Sequence, residues 1–329
     1  MDNRYQSIQR WLEKILGNQD FSLTPASADA SFRRYFRVSF INETPSKILM
    51  DAPPDKEDSQ AFFRLARQLR AIDINVPDIY AENYIDGFFL LSDLGHEHFL
   101  SRLNKDSVDS LYEQAMRVLL TLQANGPADV PEYDASLLNT EMQLFVDWYL
   151  RRHLQLDLTD ENISTIKDAF DTLTHSALQQ PKVCVHRDFH SRNLMMPTAG
   201  PLSEPAPGVI DFQDAVYGPV TYDLVSLLRD CYIAWPEQLV YNKVAWYYQQ
   251  AKHQELLTDV GLDQFIQWFD LMGIQRHLKA VGIFSRLNYR DNKPGYLDDI
   301  PRTLSYISAI APKYPALHSF SSLLAKLIR

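Results

Sequence analysis

The sequence predicts an α+β protein with two unequal lobes, and three observations support this class. Strand-like segments and one internal helix occupy about the first 95 residues. After Gly95, apolar residues recur mostly at helical spacing. One strand-rich segment, residues 183–212, interrupts those helices. We therefore expect an N-terminal lobe over residues 1–95 and a larger, mostly helical C-terminal lobe over residues 96–329.

The N-terminal lobe is predicted to begin with a helix and to continue mainly as strands. The helix is expected over residues 3–17, because apolar side chains share one of its faces. Alternating aromatic and polar residues predict a strand over Phe32–Phe40, and a short apolar run predicts another over Lys47–Asp51. A helix near residues 59–72 and strands at 78–84 and 88–92 complete the lobe.

The C-terminal lobe is predicted to be built from amphipathic helices around a β-hairpin. The helices are expected near residues 106–124, 136–153, 159–178, 221–232, 236–253, 262–285, 297–310 and 315–328. Two short apolar runs, Leu194–Met196 and Val209–Phe212, are joined by a proline-rich loop and predict the hairpin. Their pairing would bring Asn193 near Asp211.

Composition restricts the classes of partner. The net charge of −10 and the pI near 5.4 argue against broad electrostatic binding of nucleic acid or of an anionic membrane. Cys184 and Cys231 lie in apolar stretches and are expected to be reduced core thiols. The N-terminus lacks the pattern of a signal peptide and no apolar run reaches ~18 residues, so we expect a cytoplasmic protein.

Glycine is scarce, and this excludes two common nucleotide-binding loops. Only 11 of 329 residues are glycine, and no two lie closer than eight residues apart. The G-x-G-x-x-G and G-x-x-x-x-G-K-[ST] loops both need glycines that are closer than that, so that backbone amides can approach phosphate. Any nucleotide would therefore be held by small residues and by side-chain charge.

A dense polar cluster, HRDFHSRN at residues 186–193, follows a short apolar strand candidate. Phosphoryl transfer needs a carboxylate that orients or deprotonates the acceptor hydroxyl, and a divalent metal that neutralises phosphate charge. Asp188 could face the acceptor. Asn193 and Asp211 offer the oxygen ligands that Mg²⁺ takes. The cluster therefore suits a phosphotransferase.

HRDFHSRN followed by IDFQDA resembles the H-x-D-x-H-x-x-N and I-D-F signature of the aminoglycoside phosphotransferase (APH) family, which has a protein-kinase-like fold. KILMDAPP, NVPDIYAEN, FFLLSDLG and YGPVTYDLVSLLRD also fall in the order that the family shows, so the resemblance covers roughly residues 20–300. It implies a small antiparallel N-terminal sheet with one lobe helix, and a larger helical C-terminal lobe.

Within the family, these segments resemble the bacterial kinases that phosphorylate N-acetylmuramate and N-acetylglucosamine at C1 in cell-wall recycling. The resemblance implies an ATP- and Mg²⁺-dependent kinase with a small-molecule sugar substrate. We expect no nucleic-acid or membrane partner, and the sequence allows a monomer without fixing the oligomeric state.

The resemblance assigns roles to the residues of the cluster and of the helix that follows it. Asp188 corresponds to the catalytic base, and Asn193 and Asp211 correspond to metal ligands. His186 would steady the loop by hydrogen bonds. Asp223 begins a helix and is expected to cap it or to brace the loop.

The nucleotide side departs from the family pattern. Met50 stands where a strand lysine usually grips phosphate, and Leu65 stands at the position of its glutamate partner. When both members of an ion pair are replaced by apolar residues, no buried charge is left without a partner. The phosphate charge must then be met elsewhere. Arg33 and Arg34 lie in the expected phosphate loop between the first two strands, where alternation lets at most one point inward, and Lys47 is a second candidate.

The expected nucleotide contacts therefore come from the phosphate loop, the third strand and the interlobe hinge, whose backbone would read adenine. They are Ser31, Phe32, Arg33, Arg34, Met50, Ser92, Asp93 and Leu94.

Acceptor contacts are expected from polar residues beside the signature and on two helices. The candidates are His190, Arg192, Gln213, Asp214, Glu141 and Arg286. An N-acetylmuramate lactyl carboxylate would favour an arginine such as Arg286.

Three other functions compete with the amino-sugar kinase. A protein kinase is disfavoured, because the helix at residue 221 follows Asp211 too closely for an activation segment. Another APH-family kinase, for an aminoglycoside, choline or homoserine, stays open. A pseudokinase is suggested by Met50 and the missing glycines, but Asp188, Asn193 and Asp211 together argue against it.

Overall fold

The computed structural model describes residues 3–17, 20–28, 33–41, 45–56, 59–196 and 206–328. It divides into two compact units. The first comprises Met1–Glu97 and Met195–Gln213, and the second comprises His98–Leu194 and Asp214–Arg329.

The first unit is an antiparallel sheet with two helices. The sheet has the strand order β1-β2-β3-β5-β4, and every neighbouring pair is antiparallel. Its elements are α1 (Asn3–Leu16), β1 (Phe21–Ala28), β2 (Arg34–Phe40), β3 (Lys47–Asp51), α2 (Ser59–Ala71), β4 (Ile79–Asn83) and β5 (Phe88–Ser92).

Helix α1 covers part of this sheet. Its buried residues Ile8 and Leu12 are four positions apart and so lie on one face, which packs on Val38, Leu49 and Phe88 of the strands. The pattern of apolar residues did not predict β1, because Pro25 and small polar residues interrupt it. The strand pairs with β2 through an irregularity between Pro25 and Ser27.

The second unit is mostly helical. Its helices are α3 (Phe99–Arg102), α4 (Val108–Asn125), α5 (Ala135–Leu144), α6 (Asp160–Leu178), α7 (Tyr222–Leu228), α8 (Glu237–His253), α9 (Leu262–Asp291), α10 (Ile300–Ile310) and α11 (His318–Leu327). Helix α5 continues as a π-helix over Phe145–His153, and short 3₁₀ turns cover Pro294–Asp299, Ala311–Lys313 and Pro315–Leu317.

Four short strands lie between α6 and α7 in the sequence. They are β6 (Lys182–Val185), β7 (Leu194–Met195), β8 (Gly208–Val209) and β9 (Val216–Pro219). Strand β6 pairs with β9 in the second unit, and β7 pairs with β8. The predicted hairpin therefore forms between the expected segments, although its ladder is shorter than predicted.

Helix α9 is the central element of the second unit. It has 30 residues, and it packs against α5, the π-helix, α6, α7 and α10. Gly282 permits one close approach, since a Cβ there would lie 2.4 Å from the Leu144 carbonyl carbon. The prediction ended this helix at residue 285, whereas it continues to Asp291.

Two other predicted helices also differ from the structure. The expected helix at 136–153 becomes π-helical from Phe145, and that expected at 221–232 ends at Leu228. In the described part of the chain, no helix is both long and apolar enough to cross a membrane.

Candidate active site

The loop at residues 186–193 follows β6, and a buried carboxylate holds its first turn. Asp223, in the first turn of α7, accepts hydrogen bonds from the backbone N–H groups of His186 (2.6 Å) and Arg187 (3.0 Å). Arg187 has a φ of 76°, so these bonds stabilise an uncommon backbone conformation. Burial raises the pKa of Asp223 to about 7, although the two N–H donors oppose the rise.

A second buried carboxylate anchors the other half of the loop. Asp230 Oδ2 accepts hydrogen bonds from the N–H (2.9 Å) and the Oγ (2.5 Å) of Ser191. Between the two anchors, the Asp188 carbonyl oxygen accepts from the His190 N–H (2.9 Å) and from Asn193 Nδ2 (3.0 Å). The main chain is therefore fixed on both sides of Asp188.

The Asp188 carboxylate lies in a positive electrostatic environment. Burial by itself raises the pKa of Asp188, but Lys279, His190 and Arg276 outweigh burial and lower it to about 2. Burial lowers the pKa of His190 itself, despite the neighbouring carboxylates Asp230 and Asp188. Asp188 is therefore ionised at neutral pH.

A cavity of about 190 Å³ in the second unit is bordered by Asp188. Its other lining residues are His190, Tyr222, Cys231, Tyr232, Arg276, Lys279, Ala280, Ile283, Phe284, Leu287 and Tyr296. Charged groups occupy one part of this lining, and aromatic and aliphatic side chains occupy the rest. Such a mixture suits a small polar ligand with an apolar face.

Glu141 pairs with a cavity-lining lysine and does not itself line the cavity. It forms ion pairs with Lys279 (3.1 Å) and with Arg187, and it accepts a hydrogen bond from the Tyr133 hydroxyl. Burial raises the pKa of Glu141, but the two cations outweigh it, so the net shift is downward. This placement differs from the predicted acceptor contact, because internal partners engage both carboxylate oxygens.

Helix α9 supplies two cavity residues that the sequence analysis missed. Arg276 and Lys279 lie three positions apart and so share a face with Ala280 and Ile283. The available signal was a pair of cations, three residues apart, between apolar segments of the helix. Arg286, the arginine predicted to contact the acceptor, is half-buried and is not among the cavity-lining residues.

The other predicted acceptor contacts occupy different positions. His190 lines the cavity, and its ring meets that of Tyr232 edge-on. The Arg192 guanidinium lies 3.6 Å from the centre of the same Tyr232 ring. Asp214 is exposed, and its carbonyl oxygen accepts a 3.4 Å hydrogen bond from Arg187.

Asp211 belongs to the first unit and follows β8. Its φ of 67° is also in the left-handed region. Gln213 Nε2 donates to Asp211 Oδ1 at 2.7 Å and so helps to set the direction of that carboxylate. Phe212, between them, is buried and stacks on Phe62 of α2 with ring centres 5.0 Å apart.

At the third strand, the first unit places apolar side chains where the family pattern would have charges. Met50 and Leu65 are both buried, with 0% and 1% exposure. The charge lies one residue further along β3, at the fully buried Asp51. Arg4 (2.6 Å) and Arg34 (2.7 Å) both form ion pairs with Asp51.

Only part of the predicted phosphate loop can be described. Arg34 lies in β2 opposite Asp51, not in a loop, because the β1–β2 ladder extends to it. Arg33 is 8% exposed. Ser31 and Phe32 lie outside the described residues. Lys47, the alternative cation, has its Nζ 4.5 Å from the centre of the Tyr80 ring.

The predicted hinge, residues 92–94, forms hydrogen bonds and an ion pair with neighbouring segments of the first unit. The Ser92 N–H donates to the Asp78 carbonyl (2.9 Å), and the Ser92 hydroxyl accepts from the Asp78 N–H (2.8 Å). Asp93 forms an ion pair with Arg37 (2.6 Å). The Ser92 and Asp93 side chains are therefore engaged by partners within the first unit.

Comparison with known proteins agrees with this architecture. The family model described as "Phosphotransferase enzyme family" (APH) matches residues 22–256. An N-acetylmuramate/N-acetylglucosamine kinase from Pseudomonas aeruginosa is 42% identical, over 99% of this chain and 97% of its own length. A kinase of the same description from Neisseria meningitidis is 39% identical, over 99% and 96%.

The fold is also similar to that of solved kinase structures. The choline kinase LicA from Streptococcus pneumoniae has a TM-score of 0.64 at 10% identity, over 93% of this chain and 99% of its own. The antiparallel N-terminal sheet and the helical second unit described above are those of the protein-kinase-like fold. The chain therefore belongs to the APH phosphotransferase family, has its protein-kinase-like fold and is a phosphotransferase.

Proposed function

We propose that this chain is an ATP-dependent kinase that phosphorylates the anomeric C1 hydroxyl of N-acetylmuramate and N-acetylglucosamine. We further propose that it acts in the cytoplasm, in the recycling of peptidoglycan sugars. The observation that carries the proposal is the small cavity that places the Asp188 carboxylate beside cationic and aromatic side chains. The descriptions of the relatives at 39–42% identity support the same substrates.

In this proposal, Asp188 orients the acceptor hydroxyl and accepts its proton only after the phosphoryl group has begun to transfer. A carboxylate whose pKa is about 2 is a weak base. A weak base suffices where the transition state is loose, because little proton removal is needed before the phosphoryl group moves. An anomeric hydroxyl is also more acidic than other sugar hydroxyls, since the ring oxygen stabilises its anion. A weak base therefore suits the C1 hydroxyl better than the other hydroxyls of the sugar.

The first unit would bind the nucleotide, and two residues would hold Mg²⁺. Asn193 and Asp211 provide the hard oxygen donors that Mg²⁺ prefers. The hydrogen bond from Asn193 Nδ2 to the Asp188 carbonyl helps to set the direction of the Asn193 side chain. Bound Mg²⁺ would neutralise phosphate charge. Arg34, oriented by Asp51, is the arginine that we assign to the phosphates.

The charges of the cavity argue against cationic acceptors. Arg276 lines it without a direct ion-pair partner among the described residues and would repel choline or a polycationic aminoglycoside. We therefore rank those substrates below the neutral or anionic amino sugars.

The test is an assay of ADP release with a panel of acceptors. The panel contains N-acetylmuramate, N-acetylglucosamine, free hexoses, choline, an aminoglycoside and a peptide. We expect turnover with the two amino sugars and none with the methyl glycoside of N-acetylglucosamine, whose anomeric oxygen is blocked. Phosphorus NMR of the product would show the phosphate on C1. Turnover of the methyl glycoside would contradict the C1 assignment, and turnover of the peptide alone would contradict the sugar kinase.

A further inference from the structure

Arg276 is a buried cation in the wall of the cavity, with 5% exposure. Its Nη1 lies 3.5 Å from Cys231 Sγ, which is a weak hydrogen-bond acceptor. Within the described part of the chain, no carboxylate lies within 4 Å of its guanidinium group. The group therefore carries a full positive charge into the cavity wall without a direct counter-ion.

The other buried cations of the second unit differ from Arg276 in this respect. Lys279 pairs with Glu141 at 3.1 Å, Arg229 pairs with Asp270 at 2.6 Å, and Lys243 pairs with Asp109 at 2.7 Å. The fold therefore neutralises each of these charges by a direct ion pair. A buried charge that lacks such a pair is costly to the protein alone. It is also well placed to bind an anionic group on a ligand, since a guanidinium matches a carboxylate by two parallel hydrogen bonds.

We propose that Arg276 binds a carboxylate on the acceptor sugar and so selects N-acetylmuramate over N-acetylglucosamine. This inference rests on the function proposed above. N-acetylmuramate is N-acetylglucosamine with a lactyl ether on O3, so the two acceptors differ by one carboxylate-bearing group. Asp188 and Arg276 border the same cavity and carry opposite charges. The reacting hydroxyl is oriented by Asp188, while the lactyl carboxylate is held by Arg276.

The remaining surface of α9 suits the uncharged part of such a sugar. Ala280, Ile283 and Phe284 follow Arg276 on the cavity side of the helix. Apolar side chains of this kind accommodate a sugar ring face and an acetyl methyl group. Lys279 is already paired with Glu141, which leaves Arg276 as the cation with which the carboxylate forms an ion pair.

The test compares three acceptors with the full-length wild-type enzyme and with two variants, Arg276→Gln and Arg276→Lys. The acceptors are N-acetylmuramate, its neutral primary amide and N-acetylglucosamine. In the wild type, we expect kcat/KM for the acid to exceed that for the amide by about 10- to 100-fold, the usual effect of a hydrogen bond to a charged group. Arg276→Gln should abolish this preference. Arg276→Lys keeps the charge but not the two parallel N–H donors of the guanidinium, so it should retain part of the preference.

The control is Arg290→Gln, which removes an exposed arginine from the same helix and should leave the acid-to-amide ratio unchanged. A loss in Arg276→Gln that is equal for all three acceptors would overturn the proposal, because it would place Arg276 on the transferred phosphoryl group. Equal wild-type rates with the acid and the amide would overturn it without any variant. Failure of the wild type to use any of the three sugars would instead refute the proposed function.

Discussion

Each unit of the molecule has a fully buried aspartate next to a segment that we propose takes part in phosphoryl transfer. The two carboxylates have different kinds of partner. Asp51 in the first unit is neutralised by the side chains of Arg4 and Arg34. Asp223 in the second unit accepts hydrogen bonds from two backbone N–H groups of the loop that carries Asp188. The first carboxylate therefore orients two arginine side chains, whereas the second holds a main chain.

This difference indicates that the loop at residues 186–193 constrains the sequence more strictly than the cations of the first unit do. A loop held by its backbone must place its functional side chains at fixed spacings, so HRDFHSRN keeps the family pattern. A charge delivered by an arginine can be supplied from more than one strand. The first unit can therefore have an apolar pair, Met50 and Leu65, where a lysine and a glutamate are usual.

The largest expected effect concerns the loop that Asp223 holds. Asp188→Asn should lower kcat by about 10²- to 10⁴-fold, the usual contribution of a positioned acid or base. The affinity for ATP should change little, because the amide keeps the shape of the side chain. Steady-state kinetics and calorimetric titration of the nucleotide would measure the two quantities.

Asp168→Asn is a suitable control for this substitution, because Asp168 is an exposed aspartate on α6. A kcat for Asp188→Asn within a few-fold of the control would contradict the role assigned to Asp188.

The same loop shows what could be predicted from the sequence. Its residues are contiguous, so their spacing was enough to predict roles for Asp188 and Asn193 without tertiary information. Arg276 and Lys279 come from α9, far along the chain, and reach the cavity only through helix packing. No local spacing connects them to Asp188. The choice of Arg286 failed to identify a cavity residue for the same reason, since helix periodicity alone does not show which face meets the site.

Backbone details were also outside the reach of the sequence. The π-helix at Phe145–His153 begins close to Gly282, where α9 approaches the Leu144 backbone. A helical pattern of apolar residues does not distinguish an α-helix from a π-helix. The strand that contains Pro25 was missed because proline and small polar residues are rare in strands.

A second expected effect is a pH dependence of stability that arises from Asp223. Its pKa of about 7 in the folded protein exceeds the ordinary value of ~3.9 for an unfolded chain. As the pH rises from about 4 to 7, the unfolded chain ionises first. The stability that Asp223 contributes is therefore complete below pH ~4 and is lost as the pH rises through 7.

Asp223→Asn should remove this contribution. Between pH 5 and 8, the free energy of unfolding of the wild type should fall relative to that of the variant by roughly 2 kcal/mol. Urea denaturation at several pH values would measure both curves. Parallel curves would mean that the two backbone donors already keep Asp223 ionised in the folded protein.

The smallest expected effect concerns the carboxylate of the first unit. If Asp51 orients Arg34 toward phosphate, Arg34→Ala should raise the KM for ATP by about tenfold, the usual effect of one charge-assisted hydrogen bond. Asp51→Asn should also raise it, because Arg34 then keeps its charge but loses its orientation.

Arg33→Ala should have less effect on the KM for ATP. Arg10→Ala, which removes an exposed arginine from α1, should have none. A rise with Arg33→Ala alone would transfer the phosphate role to Arg33. An unchanged KM in all of these variants would leave Lys47 or the loop amides as the source of the charge, and the carboxylate of the first unit would then serve stability alone.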